Sequence, residues 1–131
     1  MVRRLIIIVL LAVLMSILDD KITKPASVKK PVERTWTIQD SKAYARDVMY
    51  LWADKQFQCL NKLWTKESNW RVEAYNKVKI MGKNAGGIPQ LLGMSPDTPA
   101  PIQIDRGLEY IKYRYTTPCK ALYFHDARGW Y

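Results

Sequence analysis

Leu63-Trp64-Thr65-Lys66-Glu67-Ser68-Asn69-Trp70 is the stretch on which the reading of this chain turns. Placed on a helix running over about 56–67, Glu67 lies seven residues after Leu60, four after Leu63 and three after Trp64. Those are the spacings of one helical face. A carboxylate therefore continues the apolar stripe of Phe57, Leu60, Leu63 and Trp64 instead of facing water. Burial against leucine and tryptophan disfavours the charged form, and the negative end of a helix dipole acts in the same direction. Both push the acid towards the range in which a general acid works near neutral pH. A solvated glutamate at a fraying helix end, or one paired with a lysine, shows the same spacing, so the pattern alone leaves those readings open.

Short helices are expected on either side. Asp40 or Ser41 can cap a helix that puts Tyr44, Val48, Leu51 and Trp52 on one face. A third helix fits 101–115, with Pro101 in its first turn and a stripe of Ile104, Leu108, Ile111 and Tyr115. A fourth begins after Thr117, with Pro118 at its first position, and ends near Gly129. Residues 71–99 read as irregular, broken by Gly86-Gly87, Pro89, Pro96 and Pro99. No segment alternates with period two for long, so any sheet is small. The expected fold class is mainly α, in one domain over 36–131.

The 131 residues allow little beyond that domain. Arg3 and Arg4 precede a run of 14 residues, 5–18, in which only Ser16 is polar, and Asp19, Asp20 and Lys21 end it. Residues 1–20 thus read as a signal peptide or membrane anchor. The lack of a small-x-small cleavage site favours an uncleaved signal-anchor, holding the protein to a membrane through 5–18. Residues 21–35, with Pro25, Pro31 and several lysines, read as a basic linker. Export gives the two cysteines, Cys59 and Cys119, an oxidising compartment in which to form a disulfide. The alternative is a thiol nucleophile paired with His125, the only histidine. The apolar helical surroundings of Cys59 disfavour it. The formal charge of +9 suits a polyanionic partner. For an exported chain that partner is an acidic bacterial wall, not nucleic acid.

A family resemblance adds to this. Glu67-Ser68-x-Trp70, Ala74-x-Asn76 and Gly87-Ile88-Pro89-Gln90 resemble the soluble lytic transglycosylase-like domain. So do Gln103-Ile104, Gly107-Leu108-x-Tyr110-Ile111, Arg114-Tyr115, Pro118-Cys119 and Gly129-Trp130-Tyr131. The nearest likeness is to small secreted transglycosylase-like proteins of actinobacteria and their phages. The resemblance covers about 56–131. It implies a lysozyme-like, mostly α fold and an enzyme that cleaves the MurNAc-GlcNAc β-1,4 bond of peptidoglycan, leaving 1,6-anhydro-muramyl ends. It implies Glu67 as the catalytic acid and base, with Ser68, Asn76, Gly87, Ile88 and Gln90 at the substrate. Trp70 and Tyr110 are the aromatic candidates for sugar stacking. Trp64 is expected in the core, Trp130 and Tyr131 either on the core or at the cleft edge, and His125, Asp97 and Asp105 at the surface. No cofactor and no metal are expected, because His125 has no cluster of cysteines or acids at ligand spacing. The expected species is a monomer acting outside the cytoplasm.

Two departures from the family fall in the expected cleft. The segment between Asn76 and Gly87 is about four residues longer, and Gly86 stands where an aromatic is usual. The segment after Gln90 is shorter. These keep two other readings in view: a hydrolytic muramidase, and a wall-binding or virion-associated module of the same fold with little turnover.

Overall fold

A computed structural model describes residues 35–131, which form a compact unit of their own. The expected signal-anchor and most of the basic linker lie outside the described residues. Among the described residues no helix is long and apolar enough to cross a membrane. The unit is mainly helical, with a small sheet. Helices α1 (Ile38–Val48) and α2 (Asp54–Ser68) are followed by strands β1 (Tyr75–Ile80), β2 (Lys83–Gly86) and β3 (Leu91–Leu92), then by α3 (Ala100–Tyr115) and α4 (Pro118–Arg128).

The caps decide where the helices start. α1 begins earlier than the sequence pattern placed it. Thr37 is the cap: its hydroxyl accepts the Asp40 N–H at 3.1 Å, and Asp40 accepts the Thr37 N–H at 3.0 Å. This reciprocal box satisfies two helix-end donors at once, and it leaves Ser41 buried within the helix. α1 ends at Val48, so Leu51 and Trp52 fall beyond it and Leu51 stands 79% exposed. α4 starts as expected, with the Thr117 hydroxyl accepting from the Lys120 N–H, Pro118 in the first turn and Gly129 closing it in the left-handed region.

The segment 71–99 holds more regular structure than its breakers suggest. β1 and β2 form an antiparallel hairpin, and β2 pairs with β3 on its other edge. Met81 (φ 53°) and Gly82 (φ 77°) occupy the two turn positions. Two positive φ values match the right-handed twist of the flanking strands. The long insertion over 77–86 is therefore this hairpin and not a loose glycine loop. Its β1 strand alternates lysine with apolar residues but is exposed throughout, so no buried face reveals it in the sequence. Gly86 has a steric reason. A Cβ there would lie 2.2 Å from the Met94 carbonyl oxygen, so no aromatic side chain fits.

The core is built on Trp64, Leu60, Leu63, Trp70, Ile88, Ile104 and Ile111, all nearly or fully buried. Helix α3 approaches α2 at Gly107, where an added Cβ would meet the Trp64 ring at 2.7 Å and Pro89 at 2.8 Å. Gln103, also fully buried, ties α3 to the preceding loops. Its oxygen accepts the Ile88 N–H at 2.7 Å, and its amide donates to the carbonyls of Thr98 and Val72 at 2.7 and 3.0 Å.

Helices α2 and α4 run in the same direction. The pairs Cys59–Cys119, Lys66–Asp126 and Glu67–His125 climb both together. The disulfide joins them near their starts, with Cα atoms 4.9 Å apart across 60 residues. Closing a loop of that length stabilises by about 4 kcal/mol on the chain-entropy account. Reduction, or Cys59→Ser with Cys119→Ser, should lower unfolding free energy by about that amount; chemical denaturation with and without reductant measures it.

Candidate functional site

A cleft of about 730 Å³ opens where the end of α2, the sheet, the last turns of α3 and residues 129–131 meet. Glu67 lines it, in the last turn of α2. This helix ends by reversing into the left-handed region at both Asn69 (φ 54°) and Trp70 (φ 61°). The Asn69 N–H reaches the Thr65 carbonyl at 3.0 Å, and the Trp70 N–H reaches the Trp64 carbonyl at 3.4 Å. The bulky Trp70 costs about 1–2 kcal/mol in that conformation. Its ring is buried against Trp64 at 5.1 Å and Phe57 at 6.5 Å, which offsets the strain.

The cleft gathers Glu67, Asn76, Gln90 and Tyr110, four of the residues singled out in the sequence. The other four stand behind its wall. Trp70, expected as a sugar-stacking ring, is only 1% exposed and packs in the core. The left-handed turn after α2 swings it inwards. Ile88 is fully buried and Gly87 sits beside the Gln103 amide. Ser68 is buried too. Its hydroxyl donates to the Ile88 carbonyl at 2.7 Å, binding the end of α2 to the 87–90 segment. These residues shape the wall without presenting a side chain to a ligand.

Trp130 supplies the exposed ring that Trp70 does not. It lines the cleft, is 49% exposed, and is propped edge-on by Phe124 at 5.0 Å. The Arg114 guanidinium lies 5.7 Å from its ring. Tyr131 locks this edge in place. Its hydroxyl accepts from the Trp64 indole at 2.9 Å and donates to the Pro89 carbonyl at 2.8 Å. Ile80, Met81, Leu91 and Leu92 complete an apolar side formed by the hairpin and β3.

Among the described residues that line the cleft, Glu67 brings the sole side-chain carboxylate. Burial pushes its carboxyl from 4.5 up to about 7. Asp105 lies elsewhere, in a groove between α1 and α3, where it accepts the Tyr44 hydroxyl at 3.1 Å. Asp97 is exposed in the turn before α3 and lines neither hollow. No group of three or more His, Cys, Asp and Glu side chains is placed to hold a metal among the described residues.

His125 is the residue that spacing missed. It was expected at the surface, yet its Nε2 lies 3.0 Å from Glu67 Oε1, and the two side chains are only 13% and 16% exposed. Burial and the nearby Lys66 charge lower its pKa. The signal was present in the disulfide. At about 1.5 Å of rise per residue, Glu67 lies about 12 Å beyond Cys59, and His125 about 9 Å beyond Cys119. Parallel helices joined at the cysteines bring those two levels together.

No protein-family model, no curated protein and no solved structure matches the chain.

Glu67 also leaves a thermodynamic mark. Its folded pKa is raised, so its favourable contribution is complete below the unfolded value of 4.5 and is lost as pH rises through about 7. Glu67→Gln removes that dependence. The variant should gain stability over the native chain between pH 4 and pH 8, by about 2 kcal/mol once the shift is discounted for solvent in the cleft. Paired denaturation curves at the two pH values check this; an unchanged difference would mean the carboxylate is solvated.

Proposed function

We propose that this chain is a peptidoglycan lytic transglycosylase of lysozyme-like fold, with Glu67 as its general acid and base. One observation carries the reading: a single side-chain carboxylate lines the cleft, and burial has raised it to about 7. A glycosidase that activates water or forms a glycosyl ester uses two carboxyl groups at a set separation. Asp97 and Asp105 do not line this cleft. One acid suffices when the substrate supplies the rest.

In that chemistry Glu67 gives its proton to the oxygen of the scissile bond as C1–O4 breaks. The acetamido oxygen of the muramyl residue stabilises the positive charge left at C1. The 6-hydroxyl of the same sugar then bonds to C1, and its proton returns to Glu67. The acid is regenerated, no water is consumed, and the product carries a 1,6-anhydro end. A pKa near 7 lets one group both give and take a proton close to neutral pH. The mainly helical unit with a small sheet beside the cleft, the disulfide and the charge of +9 support an exported enzyme acting on an anionic wall. In this reading the protein works as a monomer outside the cytoplasm, held by residues 5–18 where these are retained. It binds its glycan through Asn76, Gln90, Tyr110 and the exposed Trp130.

Mass spectrometry of muropeptides released by the full chain tests this. Anhydro products from the native protein and none from Glu67→Gln are expected, with kcat/KM falling above about pH 7 as the acid loses its proton. Products in reducing form would replace the transglycosylase by a muramidase. Binding to the wall with no release would replace it by a binding module. Trp130→Ala should raise KM for the glycan with kcat little changed and the fold intact, since it removes the half-exposed ring against which an apolar sugar face can pack. Initial rates across substrate concentration measure that shift.

A further inference from the structure

We propose that His125 is a positioning residue for Glu67: its neutral imidazole, as the Nε2–H tautomer, donates to Glu67 Oε1 and keeps the acid's proton on Oε2, the oxygen His125 does not touch. This rests on the general-acid reading of Glu67 given above.

The geometry is a 3.0 Å contact between two largely buried side chains on parallel helices, with a disulfide below and the Lys66–Asp126 pair beside it. Two neutral arrangements fit that distance. In the first, Glu67 gives its own O–H to Nε2, and the imidazole carries its proton on Nδ1. That atom is buried and has no hydrogen-bond partner. The Asp126 Oδ1 atom is 4.0 Å away, and Lys66 Nζ already holds it at 2.6 Å. A buried N–H is thus stranded. The same arrangement turns the acid's proton away from any ligand. In the second, Nε2–H donates to Oε1, and Nδ1 carries only a lone pair. No donor is orphaned, and the acid's proton resides on the other oxygen. The second arrangement is the favourable one.

The surrounding charges agree. Burial of the ring most of all, and then the Lys66 charge of α2, disfavour an imidazolium, which Asp126 of α4 favours in part. Around the pair also lie Lys62 of α2, whose charge reaches Asp126, the Tyr131 hydroxyl, held high by its own burial, and Tyr110, Arg114 and Tyr115 of α3. In the proposed arrangement the hydrogen bond donated to Oε1 favours the ionised carboxylate and so opposes the rise that burial imposes. This keeps the acid able to take its proton back.

The chain has one histidine, so its imidazole ¹⁵N signals identify themselves. In the full-length protein near neutral pH the spectrum should show a protonated Nε2 and a bare Nδ1. A protonated Nδ1, or an imidazolium, would overturn the proposal. A carboxyl ¹³C titration gives the second reading. In His125→Ala the Glu67 midpoint should move upwards by about half a unit or more, and in His125→Gln, whose amide N–H can reach the same oxygen, it should move less. An unmoved midpoint in His125→Ala sinks the idea. In turnover, His125→Ala should lower kcat about tenfold with KM held, and His125→Gln should recover part of it. A rise in KM alone would make His125 a binding or packing residue. The spectra need no turnover. They decide the His125–Glu67 arrangement even if the native protein releases nothing from peptidoglycan, an outcome that would remove the functional reading alone.

Discussion

The Trp64 indole is the object around which the rest is arranged. It is fully buried. One side admits α3 only because Gly107 has no side chain, and another meets the inturned Trp70. Its N–H holds the Tyr131 hydroxyl, which in turn holds the Pro89 carbonyl. Gly107, Tyr131 and, through the Tyr131 hydroxyl, Pro89 are thus gathered around one ring from far along the chain. A buried indole N–H must find an acceptor, and the one it finds places residues 129–131 along the cleft. Glu67 follows three residues later, so its position is set by the same anchor.

That position is costly. A carboxylate in this setting weakens the fold wherever it ionises, and Trp70, the second residue after the helix, adopts a left-handed backbone conformation that its bulky side chain disfavours. Burial of the Trp70 ring and the closed Cys59–Cys119 loop are the offsetting terms. Strain and a raised pKa at the end of one helix are what the proposed role of Glu67 asks of this position.

Periodicity made α2 and α3 legible, because each carries an apolar stripe over three turns or more, and Pro118 and Gly129 marked the two ends of α4. The pairing of Cys59 with Cys119 was legible from cysteine arithmetic, and the inward face of Glu67 from its spacing to Leu60 and Trp64. What failed did so for identifiable reasons. Thr37 was passed over because its box partner, Asp40, looked like the cap itself. The hairpin over 75–86 escaped because its alternation, Lys77-Val78-Lys79-Ile80, is only four residues long and is followed by glycines and prolines that read as breakers. Trp70 was placed at the cleft because an aromatic three residues after Glu67 suits sugar stacking, and the two positive φ angles that turn its ring into the core leave no mark in the sequence. His125 required tertiary knowledge, the parallel course of two helices, that no single stretch of sequence contains.

The disulfide has a consequence for survival among proteases. Cleavage is easiest at an exposed tip such as Met81, which is 91% exposed at the hairpin turn. Nearly everything between α2 and α4 lies within the 60-residue loop that the bond closes. A cut at Met81 therefore severs the backbone without separating the fragments. The piece carrying Glu67 and the piece carrying His125 stay covalently joined through Cys59 and Cys119, and the nicked molecule keeps both halves of its cleft.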